Sequence, residues 1–171
     1  MRVQLKRKTH TPEVYLALEE KAEFRSEYHD GEIVAMTGGT PNHNKIAGNL
    51  YAPLNFAFRG KPHQVFMSDL RLWVPAYRRF TYPDIMVVEG ELELLEGRRD
   101  TITNPVLITE VLSDSTEAYD RGEKFRIYRS LASFREYLLI SQNAMRVERF
   151  VKNAQGQWLL VDYEGADATL E

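Results

Sequence analysis

The chain contains no cysteine. That absence excludes disulfides, thiolate zinc sites and cysteine nucleophiles, and leaves the compartment open. Long apolar runs are missing as well. No stretch approaches the ~18 residues a membrane helix needs, and the basic start Met1–Lys8 has no apolar segment behind it that would make a signal peptide. A cytoplasmic location without membrane contact is the default expectation. An excess of positive charge is also lacking. Lys and Arg number 22 against 25 Asp and Glu, for a net charge of -3, which argues against a non-specific polyanion binder. One basic face can still meet a phosphate backbone while the rest of the surface is acidic.

What is present fits a folded domain. The 171 residues suffice for one domain with a sizeable core. We read 1–171 as that domain, with 1–10 as a flexible basic N-terminus. Arginines and lysines cluster at Arg78-Arg79, at Arg98-Arg99 and through Arg121, Lys124, Arg126 and Arg129. Most are expected on solvated faces.

Local signals place the elements. Thr11-Pro12-Glu13 opens a helix by cap, first-turn proline and early acid, and its pattern predicts an end near Glu23. Segments 24–29 and 32–36 flank Asp30-Gly31, a pair that predicts a hairpin because both central residues of a type I′ turn need positive φ. Residues 37–41 read as a loop, with Asn42 capping a second helix that Pro53 should kink. Segment 64–73 reads as one strand. Segments 82–88 and 106–112 are apolar runs without clean alternation, which predicts strands buried on both faces. The acidic stretch 89–105 reads as a loop, and 120–131 as a third helix. Three strands then follow as a meander from Glu136 to Tyr163. The expected fold class is α/β, a central mixed β-sheet flanked by helices.

The chemistry centres on Pro83-Asp84, Glu110-Val111-Leu112 and Lys124. Asp84 stands at the start of one buried strand and Glu110 near the end of the next. If the two pair antiparallel, both acids share one small site. Two unpaired acids in a buried sheet are costly, and a hard cation such as Mg²⁺, held by one or two carboxylates, resolves that cost. Lys124 falls in the first turns of the expected helix, where its charge opposes the dipole. A residue placed for stability alone would more often be acidic there, so its removal should cost the fold little. The alternative is a surface lysine paired with Asp120 at i, i+4, worth only ~0.3 kcal/mol.

Glu27, just before the hairpin turn, either completes a metal site or is a cross-strand partner of Arg25 or a solvated strand residue. His43 is read as a helix N-terminal side chain hydrogen-bonded to the loop, with a proton shuttle as the alternative. Asp69 reads as a turn residue, and Asp120 with Glu123 as a capping box. Of Tyr77, Phe80 and Tyr82, at least two are expected in the core rather than stacked on bases.

The order Glu27, Asp30-Gly31-Glu32, His43, Ser68-Asp69-Leu70-Arg71, Tyr82-Pro83-Asp84, Glu110-Val111-Leu112-Ser113, Ser115-Thr116, Asp120-Arg121-Gly122-Glu123-Lys124 and Arg135-Glu136-Tyr137 resembles the Uma-two family of endonucleases, within the PD-(D/E)XK superfamily. The resemblance spans about Thr11 to Tyr163. It implies a restriction-endonuclease-like core, a Mg²⁺ or Mn²⁺ site, and nucleic acid, DNA first, as substrate. Asp84 matches the PD aspartate and Glu110 the acid of the second motif. Leu112 departs from the plain pattern, which wants lysine there; in the family that lysine lies on the following helix, here Lys124.

The expected function is therefore a metal-dependent endonuclease. Asp84 and Glu110 would hold the ion, with the Val111 carbonyl as a further ligand. Lys124 would orient the attacking water, and Glu27 would assist at the metal. A homodimer fits an enzyme that cuts both strands. The competing reading is a non-catalytic nucleic-acid-binding or assembly module that keeps the fold.

Overall fold

The computed structural model describes residues 9–170. The basic stretch 1–8 of the expected flexible N-terminus lies outside the described residues. His10 is anchored: its N–H donates to the Gly31 carbonyl at 2.8 Å and its own carbonyl accepts from the Tyr28 hydroxyl at 2.9 Å. Among the described residues, no helix is long and apolar enough to cross a membrane.

Helix α1 (Pro12–Glu19) starts as its sequence predicts, with the Thr11 side chain accepting from the Val14 N–H. It stops at Glu19 rather than near Glu23. The reason is tertiary: the Glu19 carboxylate accepts from the Ser26 hydroxyl at 2.6 Å and from the Ser26 N–H, which ties the turn after the helix to the next strand. Strands β1 (Ser26–His29) and β2 (Glu32–Ala35) form the expected hairpin, with His29 opposite Glu32. Asp30 and Gly31 both take positive φ, at 44° and 106°.

Helix α2 (Pro41–Ala57) begins earlier than predicted. Thr40 is the cap, accepting from the His43 N–H at 3.1 Å, and Pro41 occupies the first turn. The helix runs on through Pro53.

One expected strand is divided and another starts late. Segment 64–73 becomes β3 (His63–Met67) and β4 (Arg71–Val74), separated by a turn at Ser68-Asp69-Leu70. Segment 82–88 is preceded by β5 (Arg79–Thr81), and its strand proper is β6 (Ile85–Glu89). The divided halves belong to different sheets. β4 pairs with β5 and β3 with β6, both antiparallel. The chain thus passes between sheets twice at the same level, once through Ser68–Leu70 and once through Tyr82-Pro83-Asp84. Proline has no N–H for a ladder, so Pro83 suits a break. The Ser68 N–H donates to the Asp84 carbonyl at 3.1 Å and locks the two crossings together.

Instead of one central sheet there are two mixed sheets. The expected loop 89–105 contributes a short strand, β7 (Thr101–Ile102), parallel to β4. The smaller sheet has the order β2-β1-β5-β4-β7. β8 (Leu107–Leu112), β9 (Glu136–Ser141), β10 (Arg146–Lys152) and β11 (Trp158–Glu164) join the larger one, in the order β11-β10-β9-β8-β6-β3. β8 and β9 are parallel, and β6 and β8 are antiparallel.

The third helical region starts before Asp120. It runs as α3 (Glu117–Tyr119), a π-helical turn Asp120–Lys124, and α4 (Phe125–Tyr128). The central strands β6 and β8 of the larger sheet are buried on both faces, as their unalternating sequences predict. Ile85 and Val87 pack with Leu50, Tyr51 and Leu54 of α2. Met86, Val88, Ile108 and Leu112 pack with Phe125, Ile127 and Tyr128 on the other side. Under the smaller sheet, Tyr15, Tyr28 and Phe80 form a ring cluster, and Phe80 also stacks on Trp73 at 4.2 Å between centroids. Arg71, almost wholly buried, lies over Tyr15, Phe80 and Tyr82, and its Nε donates to the Tyr82 hydroxyl at 2.8 Å. Phe80 and Tyr82 are core residues, as expected of at least two of the three nearby aromatics.

Phe80 is fully buried at the centre of the ring cluster. Phe80→Ala should therefore destabilise the protein by about 3–5 kcal/mol, the usual range for deleting a core aromatic. Urea unfolding followed by far-UV circular dichroism checks this; a change under ~1 kcal/mol would show that the cluster repacks.

Candidate active site

The second crossing between the sheets sets the site. The ladder Ile85↔Thr109, continued by one residue, brings Asp84 opposite Glu110. Asp84 stays against β8 because its Oδ2 accepts the Val111 N–H at 2.7 Å. A cleft of about 590 Å³ opens at this sheet end. Glu27, Asp84, Glu110, Val111 and Lys124 all line it, joined by His43.

Each acid has a defined setting. His43 Nε2 lies 3.1 Å from Asp84 Oδ2, so the histidine faces the cleft rather than bonding back to its own loop. This contact raises the His43 pKa, mainly through hydrogen bonding to Asp84. A Cβ on Gly39 would meet the His43 ring at 3.1 Å, so a glycine leaves the ring its space. Glu110 is buried and its Oε1 accepts from the Tyr128 hydroxyl at 2.8 Å. Lys124 Nζ lies 2.9 Å from the same Oε1 and 3.3 Å from Asp120 Oδ1. Glu27 accepts from the Thr81 hydroxyl and lies 2.8 Å from His29 Nε2. Its strand neighbour Arg25 instead pairs with Asp69 in the turn and lies over the Tyr82 ring. The cross-strand alternative for Glu27 is thereby set aside, and Asp69 is a turn residue as read.

Two expectations about the third helix are corrected. Lys124 is not in a first turn, because the helical region begins at Glu117. It is largely buried and ion-paired, so opposition to the dipole does not explain it, and its removal is not cheap. Asp120 does not cap: it is buried, without a side-chain cap bond, and its carboxylate lies beside Lys124. Leu112, at the plain-pattern lysine position, packs in the core.

The electrostatics follow from the count of charges. Four carboxylates, Glu27, Asp84, Glu110 and Asp120, line a cleft with one lysine. Burial pushes the Glu110 carboxyl up to about 8, and Asp84 and Asp120 add to the rise against the pull of Lys124. Lys124 is disfavoured by burial, yet Glu110, Glu27 and Asp120 together hold its pKa well above the ordinary lysine value. The surplus of acids accounts for both directions: neighbouring carboxylates hold the proton on Lys124 and disfavour ionisation of Glu110. Burial also acts to raise Glu27, but its bond to His29, the Lys124 charge and the Thr81 hydroxyl outweigh it and hold it at about 2.

These residues fit a hard divalent cation. The donors are carboxylate oxygens, the kind Mg²⁺ takes. The contacts to His43 and Val111 both fall on Oδ2 of Asp84, and those to Lys124 and Tyr128 on Oε1 of Glu110. The second oxygen of each accepts no hydrogen bond among the described residues. No three His, Asp or Glu side chains among the described residues form a ready-made cage.

Sequence reasoning missed the parts played by Asp120, Tyr128, His29 and Thr81. For Asp120 a signal existed, its i, i+4 spacing to Lys124, but that spacing reads equally as an exposed pair.

The architecture is that of a restriction-endonuclease-like α/β protein. The model of the Uma2 family, described as "Putative restriction endonuclease", matches residues 12–171, and the chain belongs to that family. Two uncharacterized proteins of Synechocystis sp. are similar. One is 39% identical over 157 residues, 92% of this chain and 89% of its own. The other is 38% identical over 159 residues, 92% of this chain and 82% of its own. The crystal structure of "a putative nuclease belonging to DUF820" from Anabaena variabilis shares the fold, with a TM-score of 0.76 over 95% of this chain and 88% of that one, at 19% identity.

The two perturbed glutamates act on stability in opposite senses. Burial holds the folded Glu110 carboxyl at about 8, against 4.5 for an ordinary glutamate. The folded state then binds more protons, so in metal-free buffer stability falls as pH rises between those values. Glu27, held at about 2 against 4.5, adds stability above the higher value that is lost as pH falls through the lower. Urea midpoints against pH should show Glu110→Gln removing the neutral-side decline and Glu27→Gln removing part of the acid-side loss. Parallel curves for wild type and Glu110→Gln would contradict the assignment.

Proposed function

We propose that this protein is a metal-dependent endonuclease that hydrolyses phosphodiester bonds in DNA. The observation that carries the reading is the cleft itself: two carboxylates opposite one another at adjacent strand ends, with free oxygens, beside one buried lysine. The family description supports nucleic acid as the substrate.

Asp84 and Glu110 would hold Mg²⁺ or Mn²⁺, and the Val111 carbonyl is a further oxygen donor at the same strand end. The ion, when bound, supplies Lewis acidity towards water and neutralises charge at the phosphoryl oxygens. The chain's own residues supply the rest. His43 and the Val111 N–H fix the orientation of Asp84. Lys124 has three donors and no acceptor, so it cannot ligate a cation. Its ammonium contacts two carboxylates, and a further N–H remains for a phosphoryl oxygen or the attacking water. Positive charge held there acts mostly on the transition state, where phosphoryl charge is greatest. Glu27, ionised and anchored by His29 and Thr81, keeps Lys124 protonated. Two copies of the site, as in a homodimer, would serve the two strands of a duplex.

Mg²⁺ or Mn²⁺ at ~100 times its Kd should stabilise the fold by about 2.7 kcal/mol. Asp84→Asn should remove most of that gain in thermal melts. Cleavage of supercoiled and linear DNA should fall about 10²–10³-fold in Lys124→Met, which preserves the buried stem. Lys124→Ala should also lose stability, because it strands buried carboxylates. Wild type that binds nucleic acid and cuts none with either metal would identify a non-catalytic module instead.

A further inference from the structure

We propose that Asp120 is a positioning residue that takes over the Lys124 ammonium when Glu110 turns to a divalent cation. The inference rests on the metal site proposed above and concerns how that site makes room for its ion.

Lys124 touches two carboxylates unequally. Its Nζ is 2.9 Å from Glu110 Oε1 and 3.3 Å from Asp120 Oδ1. Glu110 Oε1 is already served by the Tyr128 hydroxyl at 2.8 Å. Asp120 Oδ1 is buried and accepts no hydrogen bond. A buried carboxylate oxygen left unsatisfied is expensive and calls for a reason. Slack in the backbone does not supply one. The Asp120 N–H donates to the Thr116 carbonyl at 2.8 Å, and its carbonyl accepts from the Tyr137 hydroxyl at 3.1 Å. The π-helical turn Asp120–Lys124 carries both side chains, and such turns are often found at functional sites.

A cation at Glu110 changes the balance. An ammonium and a divalent ion on one carboxylate repel each other strongly at low dielectric. Lys124 has to leave Glu110, and its nearest vacant acceptor is Asp120 Oδ1. A small shift of the Lys124 tip satisfies that orphaned oxygen and keeps the positive charge in the cleft. Without Asp120, Glu110 is the only carboxylate among the described residues in contact with Lys124, and the lysine competes with the ion for it.

The test is a double-mutant cycle read by calorimetric titration of Mn²⁺ into wild type, Asp120→Asn, Lys124→Met and the double variant. Asp120→Asn should weaken Mn²⁺ binding about ten-fold when Lys124 is present, the size of a contact-pair coupling. In the Lys124→Met background the same change should matter less than about three-fold. Equal losses in both backgrounds would make Asp120 a ligand or a distant charge and overturn the exchange alone. Wild type that binds no Mn²⁺ would overturn the metal site and the exchange together. A crystal structure of wild type with Mn²⁺ reads the shift without variants. Lys124 Nζ should then lie about 2.8 Å from Asp120 and away from Glu110. Lys124 still seated on Glu110 would overturn the proposal.

Discussion

Lys124 is a buried positive charge, and the elements around it are arranged by the need to compensate it. Glu110 comes from β8, Asp120 from the π turn, and Glu27 from the hairpin of the other sheet. Taking such charges from water is costly, and mutual attraction offsets that cost only where geometry and further hydrogen bonds are good. Here the supporting bonds come from Tyr128, Thr81 and His29, each on an element that packs for apolar reasons as well. The cluster therefore ties the two sheets electrostatically beside the apolar core that Leu72, Val74 and Ile102 of the smaller sheet share with Met86, Val88 and Ile108 of the larger, and it leaves a surplus of negative charge facing the cleft.

That surplus has a geometric origin. The chain passes between sheets at Ser68–Leu70 and again at Tyr82-Pro83-Asp84, and the Ser68 N–H bond to the Asp84 carbonyl holds the crossings side by side. Were 82–88 a single strand, Asp84 would lie within a ladder and face a packed layer. Because the strand starts one residue later, Asp84 sits at an open end, opposite Glu110 and within reach of His43 on α2. The Arg71 and Tyr82 contacts beneath the smaller sheet brace the same crossing from below.

Family membership and shared fold fit this arrangement without defining the chemistry. The DUF820 structure from Anabaena variabilis is alike over nearly the whole chain at 19% identity, which speaks to the fold alone. The Synechocystis proteins, at 39% and 38% identity, are similar over 92% of this chain and are themselves uncharacterized. This chain carries leucine at the plain-pattern lysine position, and its lysine is delivered instead from a π turn. A lysine on that helix can be shared between Glu110 and Asp120, whereas a lysine at position 112 would point along the strand that carries Glu110.

The local chemistry of the sequence determined much of this protein by itself. Thr11-Pro12 opened α1, Asp30-Gly31 made the hairpin through two positive φ angles, and the unalternating runs were strands buried on both faces. The acids at strand ends and the family order of motifs singled out Asp84, Glu110, Lys124 and Glu27, and all four line one cleft. Tertiary structure decided the rest. Pro83 and the turn residue Asp69 mark breaks, but nothing within segment 64–73 or 82–88 says which sheet each part joins, because an apolar strand residue looks the same whichever sheet it serves. The short β7 forms only because β4 offers it a partner. Whether Asp120 and Lys124 were an exposed i, i+4 pair or a buried one depended on where the helix began and what packed over it. Sequence spacing fixes which side chains can meet on one element, but burial and charge balance come from elements brought together across the chain.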